Sequence, residues 1–345
     1  MRSTLRRWLR DHLIRALVRA LDSQEVHHLL NQRHTDDPRI RTGLTYRPTP
    51  YRPVSVQKAT PTIEPHPIFI SGRFRSGSTL LWNLFRRPGV HTAYYEPLNE
   101  RRWFDTSGRG DHTDLTHRGV DDYWREYDGL EELANFYQER WVRERLYMDG
   151  YDFDPALKRY LQILIERAPE RPVLQFNRVD FRLPWLRQEF PNATIVHIYR
   201  DPREQWCSFL GTGHGYGPDA SGSRGYQDRF YLNLWGRDLC RYYPFLTDFH
   251  DRHRYYLFYL LWKLSFLHGQ QHANYNLAFE DLVTSPKPTL AHLFDAIGVK
   301  VDIEPLLPLI EQPRLDNWHD YADDQWFCSI ETECDALLND YFSAS

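Results

Sequence analysis

A glycine-bounded loop, Gly72-Arg73-Phe74-Arg75-Ser76-Gly77, stands between the apolar run Pro67-Ile68-Phe69-Ile70-Ser71 and a helical pattern that begins near Ser78 and Thr79. Strand, loop and helix in this order make a cradle for an anion. The glycines let the backbone turn with its N–H groups inward, and the helix adds the positive end of its dipole. A nucleoside-triphosphate loop would read G-x-x-x-x-G-K-[ST]. Here Ser78 takes the lysine's place and the cation sits inside the loop as Arg75, which argues against the terminal phosphates of ATP. By itself, such a loop is also compatible with an ordinary strand-to-helix turn.

Arg200 supplies a second cation. Thr194 to Tyr199 is a β-rich run closed by Asp201-Pro202, and a helix is expected from Pro202 or Arg203. Arg200 then falls at the carboxyl end of a strand, where open α/β sheets bind ligands, with Ser208 about two helical turns further on. An arginine fork and a hydroxyl suit a phosphate monoester. The plain alternative pairs Arg200 with Asp201 or a helix end. Between the two motifs, Val90 to Tyr95 reads as another strand and ends in Glu96-Pro97-Leu98, and Val173 to Arg178 reads as a third.

Together these segments resemble the sulfotransferases that use 3′-phosphoadenosine 5′-phosphosulfate (PAPS), and most closely the carbohydrate and tyrosyl-protein branch. The loop is similar to that branch's P-R-S-G-[ST]-[ST]. Arg200-Asp201-Pro202-Arg203 with Ser208 is similar to the family's 3′-phosphate motif, Tyr95-Glu96-Pro97-Leu98 to a Y-E-P-L segment, and Phe279-Glu280-Asp281-Leu282 to Y-E-D-L. The resemblance runs from about Pro67 to Phe342, with residues 105 to 170 matching nothing. It implies a three-layer α/β, P-loop-like sulfotransferase fold with a mostly parallel central sheet flanked by helices.

The resemblance also implies roles. Gly72, Arg73, Arg75, Ser76, Gly77, Ser78 and Thr79 would hold the 5′ side of PAPS, and Arg200 and Ser208 its 3′-phosphate. The sulfuryl group would pass in line to a hydroxyl of a carbohydrate, a glycolipid or a related acceptor, with no metal required. Such a hydroxyl must shed its proton as it attacks, and Glu96 would take it, with Glu100 and His91 in reserve. Arg75 and Arg178 would neutralise the developing charge. The structural alternatives pair Glu96 with Arg75 or Arg101, and Arg178 with Asp180 or Glu189. A P-loop small-molecule kinase and a noncatalytic nucleotide- or glycan-binding protein are the rival functions.

The 345 residues carry 41% hydrophobic and 26% charged side chains, enough for a full core. A net charge of −4 gives no case for nucleic acid. Cys207, Cys240, Cys328 and Cys334 lack metal or disulfide spacing, and His112, His117 and His214 lack metal-ligand pairing. No run approaches the roughly 20 apolar residues of a membrane span. A cytoplasmic enzyme is the expectation.

Residues 1–34 form a basic amphipathic segment, with Leu5, Trp8, Leu9 and Leu13 at helical spacing among arginines. It would either make peripheral contact with an anionic inner membrane surface or dock on protein. A proline-rich linker, 35–64, leads into the catalytic domain, 65–345. The aromatic residues between Trp103 and Ala168 read as core before they read as a stacking surface. The glycine-rich stretch Gly211 to Gly225 reads as either a lid or a surface loop.

Overall fold

The computed structural model describes residues 66–343 apart from 111–112, 115–116, 212–214, 248 and 250. The expectations for the amphipathic segment, the linker, His112 and His214 lie outside the described residues. The chain runs β1 (Ile68–Ser71), α1 (Ser78–Arg86), β2 (His91–Tyr95), α2 (Arg140–Arg143), α3 (Pro155–Arg167), β3 (Arg171–Phe176), α4 (Leu183–Glu189) and β4 (Thr194–Tyr199). It continues through α5 (Pro202–Leu210), α6 (Leu232–Leu239), α7 (Arg254–His272), β5 (Tyr275–Ala278), α8 (Phe279–Thr284), α9 (Pro286–Ala296) and α10 (Asp324–Ser343).

The strands form one five-stranded sheet in the order β2-β3-β1-β4-β5, and every neighbouring pair is parallel. Parallel strands bury both faces. Accordingly, Ile68–Ser71 and Thr194–Tyr199 are buried at every position. One apolar cluster joins the strands to α1, α3, α4 and α9. A second is built on α7 with α5, α6 and α10. The α/β fold with helices flanking a parallel sheet is as the sequence implies.

Local signals set the helix starts. Asp201 accepts from the backbone N–H of Arg203 (2.9 Å) and Glu204 (3.1 Å), with Pro202 in the first turn. Asp154 does the same for Leu157 (3.1 Å), ahead of Pro155. Side-chain acceptors satisfy N–H groups that the first turn leaves open, and proline gives up none there. The strand read to Arg178 stops at Phe176, which places Asn177 and Arg178 just beyond the sheet edge.

Between Trp103 and Ala168 most of the aromatic residues are core: Tyr123, Tyr127, Trp141 and Tyr147 are buried, Trp124, Phe136 and Tyr137 are half-buried, and Tyr151 and Phe153 are exposed. The described part of the glycine-rich stretch is pinned down. Tyr216 is buried, its hydroxyl donating to the Gly222 carbonyl (2.7 Å) and accepting from the Arg254 N–H (2.8 Å).

Helix α7 meets β4 at Gly269, where an added Cβ would fall inside the ring of His197. That ring is buried beneath the helix and has no room to yield. Gly269→Ala should destabilise the fold by about 1–3 kcal/mol, the usual cost of overpacking. A lower urea midpoint with an unchanged slope would show this; an unshifted midpoint would mean the contact is soft.

Candidate active site

Because all the strands run parallel, their carboxyl ends open on one edge of the sheet. Here lies a cleft of about 500 Å³, lined among others by Arg75, Ser78, Glu96, Arg178, Arg200 and Ser208. The segments singled out from sequence thus converge. In this order the chain leaves β1 toward β3 and β2 on one side and toward β4 and β5 on the other, the switch point at which open α/β sheets bind ligands.

The loop after β1 is held tightly. A Cβ on Gly72 would strike the Ile198 carbonyl and the Ser76 hydroxyl, and one on Gly77, at φ 92°, would enter the Phe279 ring. Both positions need glycine, one for close approach and one for a left-handed backbone. Arg75 is itself left-handed, at φ 69°. Its Nε donates to Ser208 Oγ at 3.0 Å and its Nη1 lies 3.7 Å from Asp114. The link to Ser208 bridges the two expected phosphate subsites directly.

Arg73 differs from expectation. Its guanidinium turns away from the cleft into a buried ion pair with Asp180 (3.3 Å) and lies 4.5 Å over the Trp235 ring. Ser76 is also turned in, its hydroxyl buried without a partner among the described residues. Of these two loop residues only the backbone is left to face an anion.

Arg200 pairs with Glu204 (3.2 Å) instead of Asp201, lies 4.7 Å over the Phe279 ring, and keeps a buried Nε with no partner among the described residues. Burial lowers its pKa from the ordinary value. Arg203 points elsewhere and ties α5 to α10 through Glu331 (2.8 Å) and Asp324 (2.6 Å).

On the other side of the cleft, Glu96 follows β2 at φ 40°. It pairs with neither Arg75 nor Arg101. One oxygen accepts from the Asn177 amide, and the other from Asn99 and from Arg178 Nη1 at 3.2 Å. Arg178 reaches on to Glu100 at 2.8 Å, so Asp180 and Glu189, its sequence alternatives, are taken by Arg73 and by Lys158. Tyr231 donates its hydroxyl to Glu100. Burial pushes the Glu100 carboxyl up, but Arg178 and the Tyr231 hydroxyl outweigh it and leave it below its ordinary value.

His91, held in reserve as a base, starts β2 and therefore sits at the opposite edge of the sheet, beside the Phe85 carbonyl (3.2 Å). Burial takes its imidazole down to about 4. His117 does line the cleft, bound to the Tyr123 hydroxyl at 2.6 Å.

Several cleft residues were not singled out from sequence: Asn99, Asn177 and Tyr231, with Gln175 behind them, while Phe279 entered only as part of the Y-E-D-L-like segment. Only Gln175, a polar side chain inside the apolar run Val173–Phe176, left a visible signal.

A profile of the sulfotransferase family matches residues 67–303. The chain belongs to the sulfotransferase family. It is an enzyme of sulfuryl transfer, and the family supports PAPS as its donor. Among solved structures, it is similar to the sulfotransferase domain from the curacin biosynthetic pathway, at 18% identity and TM-score 0.38 over 74% of this chain and 81% of that one. It is similar as well to sulfotransferase STF9 from Mycobacterium avium, at 14% identity and TM-score 0.42 over 81% and 76%. Retinol dehydratase, solved in complex with androsterone and inactive cofactor PAP, gives 15% identity and TM-score 0.35 over 81% and 82%. No curated protein matches the sequence.

Two further properties of the sulfotransferase bear on its site. Among the described residues no group of three or more His, Cys, Asp or Glu is placed to hold a metal ion, and no helix is long and apolar enough to cross a membrane. Beside Arg200, Glu280 accepts the Asp201 N–H at 2.9 Å while its second oxygen is buried without a partner among the described residues. Burial pushes its carboxyl from 4.5 up to about 7.

A carboxyl raised on folding holds its proton more tightly in the folded chain than in the unfolded one. Its contribution is therefore full below about pH 4 and is lost as pH rises through about 7. Glu280→Gln should remove that slope. Relative to wild type, the variant should gain about 1–3 kcal/mol of unfolding free energy between pH 5 and pH 8. Urea titrations at the two pH values give this directly, and a constant difference would clear Glu280 of the effect.

Proposed function

We propose that this sulfotransferase carries the sulfuryl group of PAPS to a hydroxyl of a carbohydrate, glycolipid or related polyhydroxylated acceptor, with Glu96 as the proton acceptor. The observation that carries the acceptor class is the wall around Glu96. Asn99, Glu100, Arg101, Arg178 and the Tyr231 hydroxyl make it a surface of hydrogen-bonding groups. A polyhydroxylated molecule can use the hydrogen-bonding positions these groups leave open, whereas an apolar alcohol would desolvate them with no bond in return.

The residues present fit the donor. The loop offers backbone N–H groups at the start of α1, and its Arg75 lines the cleft. Arg200 keeps a buried, unpartnered Nε beside the Phe279 face, a donor suited to the 3′-phosphate, with Ser208 within reach of Arg75. Bound PAPS supplies the sulfuryl group. The chain's own contribution is positional and electrostatic. Arg75 and Arg178 hold positive charge on the two sides of the cleft, and Glu96 lines it as the carboxylate that would take the acceptor's proton.

Calorimetry without added metal should show 3′-phosphoadenosine 5′-phosphate (PAP) binding more tightly than ADP or ATP, and Arg200→Ala should weaken PAP at least tenfold while hardly changing ADP. Preference for ATP would overturn the placing of the 3′-phosphate at Arg200. Glu96→Gln should lower transfer to octyl β-D-glucoside about a hundredfold or more with PAP affinity nearly intact. Wild-type turnover in that variant would move the base elsewhere, and tight PAP binding without turnover of any sugar acceptor would overturn the acceptor class.

A further inference from the structure

Behind Glu96 lies a closed chain of hydrogen bonds that the resemblance does not account for. Gln175, on β3 and fully buried, donates its amide to Ser78 Oγ (3.1 Å) and to Asn177 Oδ1 (2.7 Å). Ser78, the first residue of α1, donates its hydroxyl to the same Asn177 Oδ1 at 3.1 Å. Asn177 Nδ2 then donates to Glu96 Oε1. Gln175, Ser78, Asn177 and Glu96 are all at most 6% exposed.

We propose that Asn177 is the positioning residue of the transfer reaction, aiming the Glu96 carboxylate and fastening it to the first turn of the anion-binding helix. The proposal rests on Glu96 as proton acceptor. Its logic is one of donor and acceptor matching. Two donors converge on Asn177 Oδ1, so the amide presents its N–H face to Glu96; the reverse orientation would set N–H groups against N–H groups on one side and oxygen against carboxylate on the other.

The remaining contacts do not do this job. Asn99 and Arg178 both meet the second oxygen, Oε2, and a carboxylate held at one oxygen can still swing about it. Asn177 supplies the second point that fixes its plane. Three donors thus set the carboxylate's position, one at Oε1 and two at Oε2. The same amide joins the two halves of the site, because Ser78 belongs to the helix that faces the donor's anion while Glu96 faces the acceptor. The carboxylate and the sulfuryl donor are thereby held in one frame, and a displacement of about 1 Å between such groups costs on the order of a hundredfold in rate.

The test compares Asn177→Ala, Asn177→Asp and Glu96→Gln. Two acceptors are used: water, read as PAP release from PAPS, and octyl β-D-glucoside. Asn177→Ala should lower kcat about 10- to 100-fold while KM for PAPS and calorimetric PAP affinity stay within about threefold. Asn177→Asp keeps the shape but sets a carboxylate against Glu96, so the acidic limb of its pH–rate profile should move up by about one unit or more. Thermal melting checks that each variant folds, and the Asp variant serves if the Ala variant does not. An unchanged kcat for Asn177→Ala, or an unmoved limb for Asn177→Asp, beside an inactive Glu96→Gln, overturns the positioning role alone. An active Glu96→Gln overturns the base reading beneath it. Loss of PAP affinity in parallel with kcat would make Asn177 part of the donor pocket and also overturn the proposal.

Discussion

The site depends on a buried ion pair that touches no part of the cleft. Arg73 and Asp180 are 4% and 0% exposed; they lie 3.3 Å apart, with Ser265 of α7 donating to the same Asp180 oxygen at 2.9 Å and the Trp235 ring of α6 beneath the guanidinium. Burial raises the Asp180 carboxyl and lowers the Arg73 guanidinium, against the attraction between them. Such a pair adds little as a net source of stability, but removing one partner strands a buried charge at a cost of about 3–5 kcal/mol. It therefore acts as a constraint. The loop after β1 can sit only where Arg73 reaches the second apolar cluster, and with Arg73 turned inward, Arg75 is the loop cation left to face the cleft.

From that anchor the rest of the edge follows. Gly72 lets the loop lie against the Ile198 carbonyl at the end of β4, and Gly77 lets it pass the Phe279 ring at the end of β5. On the opposite flank, Ser78 and Gln175 tie α1 to β3 and, through Asn177, to Glu96. The ends of all the strands are thus referenced to one short loop by sterics on one side and hydrogen bonds on the other. Fixed dipoles and charges in such a frame need little reorganisation, which is how a site made mostly of positioning can accelerate a transfer.

What the sequence made legible divides along physical lines. The mostly parallel sheet was legible through the resemblance, whose motifs place a strand ahead of each loop, and the start of α5 because Asp201-Pro202 is a local turn and cap signal. The cleft cations Arg75 and Arg200 could be read because their spacing from glycines and strand ends is itself the geometry. Direction could not: nothing in Gly72-Arg73-Phe74-Arg75 says which arginine turns inward, since Asp180 lies 107 positions away in sequence. Partner choice was equally hidden. Arg178 lies close to Asp180 along the chain, yet it meets Glu96 and Glu100 because β2 and β3 are neighbours in register. Asn177 had no signal beyond its type, as its role exists only where three elements meet.

The two carboxylates around Arg178 also differ in a way that their shared partner conceals. Glu100 receives a guanidinium N–H and the Tyr231 hydroxyl and is about one-third exposed, so water competes for its remaining positions. Its partners hold it below the ordinary carboxylate range, and a weakened base at a solvated rim gains little from proximity. Glu96 is 5% exposed and held at both oxygens by donors that are themselves fixed, two of them neutral amides. Neutral amides fix the direction of a carboxylate without adding charge to the wall of the cleft. Arg178 meets both carboxylates through different nitrogens, Glu100 at 2.8 Å and Glu96 at 3.2 Å. One guanidinium is thus shared between two carboxylates, while the amides of Asn177 and Asn99 hold the direction of Glu96.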